Sequence, residues 1–409
     1  MEALRLFGIA SLMIFIGGCA MHQNHSKKGG DFADDVSFLK NHGPVIVLSD
    51  DAGKSKVAIS PGLQARVMTS TAGGDGGNSF GWINRPYFAK VAAGESNPHI
   101  SAWGGEDRFW IGPEGGQFSI FFAKGVPFDL EHWFTPKWID VEPFDTISTS
   151  PKQARFRRNV SFANYSGTPF NVQVDRTVRL LSEDEVWQNV PMKMAPSGLK
   201  IVAFETNNTI TNKGSADWTK QTGLLSIWIL GMFNATPQTT VVIPVRQGNG
   251  PAVNDDYFGK VPTDRLKTID NVVYFKADAN CRSKIGIPAQ RAEPRLGSYD
   301  AKNKVLTIVQ YTFDQTAHDY VNSAWKLQDK PFGGDVVNSY NDGPPGEGKP
   351  QLGQFYELET SSAVRATKPG ESLKHTHRTI HFQGDEKSLD EIARNALGVS
   401  LEQIKAAMQ

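Results

Sequence analysis

Phe170-Asn171-Val172-Gln173-Val174-Asp175-Arg176-Thr177-Val178 alternates apolar and polar residues, the period of a strand with one face on a core and one toward solvent. The same texture extends in both directions. Short β-type runs at 45–48, 56–59, 65–68, 118–122, 156–164, 172–181, 200–211, 224–230, 239–245, 271–275, 305–312 and 355–359 are separated by Asp, Gly, Ser, Asn and Pro, the residues of tight turns. Many such strands without helical crossovers imply an all-β chain built as a large antiparallel sandwich or barrel.

Short helices are expected only near the ends. Phe32, Val36 and Leu39 share one face of a pattern running from Asp31 to a stop at Gly43. Ser388 with Glu391, and Ser400 with Gln403, both fit a capping box, with Gly398 ending the first of the two helices. Leu389, Ile392, Ala393 and Leu397 form a stripe for packing on the sandwich or for a partner. The expected organisation is a targeting segment (1–19), a tether and short helix (20–43), the β domain (44–385) and a helical pair (386–409).

The first residues carry the address. Arg5, the apolar run 6–16 and Ile16-Gly17-Gly18-Cys19 match a bacterial signal peptide ending in a lipobox. Cys19 would then be acylated, and the protein held in the cell envelope by its lipid. That leaves Cys281 without a cysteine partner in the chain, as a small buried residue. With 43 basic and 43 acidic residues the net charge is zero, which argues against a nucleic-acid partner. A monomer is expected.

The most site-like stretch is 102–122, AWGGEDRFWIGPEGGQFSIFF. Its paired glycines allow close backbone approach, and Trp103, Trp110, Glu106, Asp107, Arg108 and Glu114 offer the flat faces, acceptors and donors that suit a polyhydroxylated ligand. A hairpin whose tryptophans fill the core is the other reading. In 333–345, Asn338, Tyr340, Asn341 and Asp342 read either as turn chemistry or as a second part of the site. His375, His377 and His381 alternate and so share one strand face, where they are structural, supply an acid or hold a metal. His375 and His377 are kept as candidate site residues; neither a metal nor a cofactor is expected.

Asn84-Arg85, then Trp103-Gly104-Gly105 with Trp110 beyond, then Leu358-Glu359-Thr360, then Lys368-Pro369-Gly370-Glu371-Ser372 make an order of motifs that resembles the galactose mutarotase-like, or aldose 1-epimerase-like, superfamily, in a bacterial lipoprotein branch. The resemblance implies a β-supersandwich with a carbohydrate cleft, Arg85 at the site and Glu359 as general base. Family enzymes pair that base with a histidine acid. Trp103 stands where the His-Gly-Gly turn has histidine, and Thr211-Asn212-Lys213 ends on lysine where the family has another. Two functions follow: an epimerase-like enzyme using Glu359, or a glycan-binding lipoprotein that catalyses nothing.

Overall fold

The structure is a computed structural model describing residues 30–192, 194–346 and 348–409. The signal segment, Cys19 and most of the tether lie outside these residues. The large antiparallel β architecture expected from the alternation is found, with few and short helices. Pro169–Leu180 alternates buried and more exposed residues along its length. It pairs with Gln153–Ala163 on one side and Lys200–Asn212 on the other, third from one edge of the chain's longest hydrogen-bonded ladder.

That ladder is a ten-stranded sheet in which Ser372–Gln383 joins the Lys200–Asn212 strand to Val305–Tyr311. Its two edges are Leu266–Ile269 and Asp145–Ser150; all six residues of the latter are exposed, and its register slips between Thr146 and Ser148. A five-stranded sheet packs against it, in the order Ser283–Pro288, Asp335–Asn341, Phe355–Ser361, Ser226–Asn234, Arg108–Gly112. A smaller three-stranded sheet is made from Ile46–Ser49, Lys56–Ser60 and Arg66–Thr71.

The core between the large sheets is apolar, with Val241, Phe275, Leu296 and Val309 meeting Ile285, Val337, Tyr356 and Leu358. Burial of this kind is worth about 25 cal/mol per Å² of apolar surface and dominates the stability. Charges are buried between the layers as well. Arg176 falls on the inward parity of its strand and is fully buried, 2.5 Å from Asp107, with Asn208 and the Ala65 carbonyl taking its other donors. Such a pair survives burial because its hydrogen-bonding capacity is filled.

The opposite face of the ten-stranded sheet is covered by helices. Leu389, Ile392, Ala393 and Leu397 of Glu386–Leu397 pack with Leu401 and Ile404 of Leu401–Ala407 on Ala203, Val242, Leu306 and Phe382. Among the described residues no helix is long and apolar enough to cross a membrane.

Several expectations are corrected. The first helix is Phe32–Lys40 and closes at Asn41, before Gly43. The cap of Glu386–Leu397 is Asp385, three residues ahead of the expected Ser388, and its side chain accepts from the Ser388 amide. Arg85–Ala92 is an additional helix, capped by the Asn84 side chain. Residues 118–122 are buried but unpaired as a strand: their apolar side chains fill a loop, where the Ser119 hydroxyl caps the Phe121 amide at 3.0 Å. Asp335–Asn341, read as turn or site, is a strand with the turn residues following it. Cys281 is free and partly exposed.

Candidate functional site

Parity decides what each strand of the five-stranded sheet can offer. Tyr356, Leu358 and Thr360 point at the ten-stranded sheet, where Tyr356 Oη lies 2.7 Å from Ser298 Oγ and Thr360 Oγ1 meets His375 and His377. Glu357 and Glu359 therefore share the outward face. Across the ladder Glu359 is in register with Asn338 on one side and Leu230 on the other, and Leu230 with Arg108. Glu357 lies opposite Tyr340, and Tyr340 opposite Lys284. Gly286 makes room for the outer row: a Cβ there would stand 2.1 Å from an Asp335 carboxylate oxygen.

Three long connections close over this face, residues 113–144, 245–265 and 312–334. They bring Glu114 and Trp133, Tyr257, and Trp325. Trp325 donates its indole N–H to Glu114 at 3.1 Å and stacks on Trp133 with centroids 5.6 Å apart. Tyr257 donates to Asp335 at 2.5 Å and accepts from Asn338 at 2.9 Å.

Inside lies a network of charge. Glu359 is 0% exposed, and one of its oxygens accepts from Lys284 Nζ and from Trp228 Nε1, both at 3.0 Å. Arg108 holds Glu357 at 2.5 Å and lies 5.2 Å from the Trp110 ring centroid. Burial pushes the Glu357 carboxyl up to about 8, with Glu359 adding to the rise and Arg108 and Lys284 opposing it. Burial likewise raises Glu114 and Asp335. For Lys284 burial alone would lower the ammonium, but Glu359, Glu114 and Glu357 outweigh it and the net shift is upward.

Several buried polar atoms here have no hydrogen-bond partner: Glu359 Oε1, Trp110 Nε1, Trp133 Nε1, Arg108 Nε and Ser226 Oγ. Buried polar groups are normally satisfied, so these are atoms that water or a polar ligand could satisfy. Aromatic rings pack around the network: Trp82 stacks on Phe355 at 4.4 Å and Trp110 meets Trp228 edge-on at 5.5 Å.

Of the residues singled out in the sequence, Arg108, Trp110, Glu114, Asn338, Tyr340 and Glu359 come together on this face. Others lie elsewhere. Arg85 pairs with Asp34 and Asp35 of the first helix, and Trp103 packs edge-on against Tyr87. Glu106 is buried between the layers with Ser70 and His381, and Asp107 is bound to Arg176. His375 and His377 are in the inter-sheet core beneath Glu359's strand, not on its outward face. Asn341 braces the Ala279 amide, and Asp342 accepts from Tyr340 and the Gly353 amide at the strand's end. Among the described residues no group of His, Cys, Asp or Glu converges as a metal site requires.

Lys284, Glu357, Trp228, Tyr257, Asp335 and Trp325 were not foreseen. Glu357 had a signal, an acid two residues before Glu359 and so on the same strand face. A separate depression of about 560 Å³, lined by Asp50, Lys152, Arg179 and Glu185 among others, lies away from this network. Its charges pair among themselves, Lys152 with Asp51 and Arg179 with Glu185.

A family model described as "Family of unknown function (DUF6786)" matches residues 30–408. No curated protein matches the chain. Among solved structures it is similar to the Slr1438 protein of Synechocystis sp. PCC 6803, at 13% identity over 84% of this chain and 96% of that one, with a TM-score of 0.49. It is also similar to a galactose mutarotase-like protein from Lactobacillus casei ATCC 334, at 11% identity over 83% and 100%, with a TM-score of 0.47. A galactose mutarotase related enzyme from Lactobacillus acidophilus gives 10% identity over 83% and 98%, with a TM-score of 0.46.

Proposed function

The chain belongs to the family of unknown function DUF6786, and we propose from the chemistry of its cleft that it is a lipid-anchored envelope protein that binds a carbohydrate and interconverts its anomers with Glu359 as general base. The observation that carries this is the state of Glu359. Lys284 and Trp228 fix one oxygen, and the other, Oε1, is buried with no donor. A base needs such an arrangement, an oriented carboxylate with one lone pair free for an incoming hydroxyl. The open indole donors and stacked aromatics fit the rest of a sugar.

The second reading, a glycan binder without catalysis, is favoured by one observation. The strand histidines that could have supplied an acid lie in the core beneath the cleft, where they bond Thr360.

Binding is tested by thermal shift with the purified protein against neutral monosaccharides and glycan fragments. A true ligand at about a hundred times its Kd stabilises the fold by about 2.7 kcal/mol. Trp228→Phe, which removes the indole donor to Glu359, should weaken the response. A panel in which no sugar shifts the transition at tens of millimolar, as an order of magnitude, sinks the carbohydrate reading. For the anchor, Cys19→Ser should abolish acyl labelling and move the protein out of the membrane fraction. Unchanged membrane partition in that variant rules the lipid anchor out.

A further inference from the structure

We propose that residues 255–260 form a lid over the charge network, bolted down by Tyr257, and that on the reading of the site given above a ligand reaches Glu359 when this lid lifts. Glu359 is 0% exposed, and its ion-pair partner Lys284 keeps 11% of its side chain exposed. A hydroxyl that is to meet Glu359 Oε1 therefore needs a covering element to move.

Three connections cover the network, and they differ in what holds them. In 113–144, Ile120, Phe121, Phe122, Trp133 and Ile139 are built into the main apolar core. In 312–334, Val321 is buried in the same core, with Trp325 and Phe332 packed against it. In 245–265, by contrast, none of the residues 251–260 is buried. Segments with little buried apolar surface open locally at far lower cost than global unfolding.

The ends of that stretch are pinned. Asn254 exchanges two backbone hydrogen bonds with Gly286 of the sheet, of 2.8 and 2.7 Å, and Val261 enters the apolar core between the sheets. Lys260 forms its ion pairs with Asp255 and Asp256, inside the segment itself.

Two side chains fasten the segment to the body. Tyr257 donates to Asp335 at 2.5 Å and accepts from Asn338 at 2.9 Å, and its ring centroid lies 5.5 Å from Lys284 Nζ, which also faces the Trp228 ring of the sheet at 4.9 Å. Phe258 is 47% exposed, with the Arg282 guanidinium 4.0 Å from its centroid and Tyr340 edge-on at 5.9 Å. The first is a polar bolt over the ammonium; the second is a cation–π contact at the surface, weak where water reaches it. Lifting 255–260 breaks these contacts, leaves both pinned ends in place, and uncovers Lys284 and with it Glu359, 3.0 Å from its ammonium.

Amine labelling of the full-length protein, read residue by residue by mass spectrometry, tests the lid without any sugar. Acetylation by a small activated ester requires Lys284 to be uncovered, while Lys152, with half of its side chain exposed beside the ten-stranded sheet, serves as the reference. Tyr257→Phe keeps the ring and removes both hydrogen bonds, each worth roughly a few-fold to tenfold in an opening equilibrium, so Lys284 should label about tenfold faster with Lys152 and the denaturant midpoint unchanged. Phe258→Ala should act in the same direction, by about two- to fivefold. Equal Lys284 rates in wild type and both variants overturn the lid, as does a rise matched by an equal loss of global stability. A wild-type Lys284 that labels as fast as Lys152 overturns it as well. With a sugar found by thermal shift, Tyr257→Phe should also raise the association rate constant; an unchanged constant beside faster labelling removes the lid as the way in. A panel in which no sugar binds removes the carbohydrate reading, while the labelling still decides whether 255–260 opens.

Discussion

Glu359→Gln is expected to slow anomer exchange by roughly a hundred- to ten-thousand-fold, the contribution of a positioned general base. The amide keeps the length of the side chain. It can turn its oxygen toward Lys284 and Trp228, which both donate, and this places an N–H where the free acceptor Oε1 stood. A sugar hydroxyl then meets a donor rather than a base. Affinity should fall only modestly, because that N–H still bonds a hydroxyl oxygen. NMR exchange between anomers, run on both proteins with a sugar identified by thermal shift, measures it. If wild-type exchange survives the glutamine, the assignment of the base is lost. In a pure binder no exchange occurs in the wild type, and Trp228→Ala or Trp110→Ala costs more affinity than Glu359→Gln.

The second large effect concerns pH and the histidines beneath the cleft. Burial lowers His375 to about 3 and His377 to about 4, so both are neutral in the folded protein well below the ordinary value of 6.5. Unfolded, they protonate as pH falls through about 6.5. In the window between, the unfolded chain binds more protons, so stability is present above the window and is lost on acidification. From pH 7.5 to 4.5 each histidine loses about two pH units of such stabilisation, and the pair together loses about 5 kcal/mol. Glu357 works in the opposite sense. Its raised carboxyl binds a proton that the unfolded chain releases above about 4.5, so its contribution falls as pH rises toward about 8. The comparison must therefore be between wild type and the His375→Gln/His377→Gln double variant, by denaturant unfolding at both pH values. Wild type should lose ground to the variant on acidification; a stability difference that stays constant with pH contradicts the neutral buried pair.

Much of the β architecture was legible because alternation is a local signal: Pro169–Leu180 displays it residue by residue. The charge network was legible only in part. Arg108, Trp110, Asn338, Tyr340 and Glu359 sit on strands, where parity groups residues correctly. Parity does not say which layer a face meets, however. Ser372–Gln383 is covered on both sides, so the aligned histidines gave no hint that they point into the core. Partners from the connections had no local signal at all. Glu114 and Trp325 touch across 211 residues of sequence, and Tyr257 and Asp335 across 78, through contacts that exist only once the sheets have closed. The apolar run 118–122 misled for the converse reason: residues selected to fill space beneath a loop have the same composition as a strand.

A sheet ten strands wide offers its margins to any neighbouring molecule with an unpaired strand, the usual beginning of aggregation. Here one margin is Leu266–Ile269, four residues long, and the other is Asp145–Ser150, whose sequence Asp-Thr-Ile-Ser-Thr-Ser presents one large apolar side chain among hydroxyls and a charge. The slip between Thr146 and Ser148 further breaks the regular spacing that a docking strand would need. The colloidal behaviour of so broad a sheet is therefore governed by a few polar residues at its border.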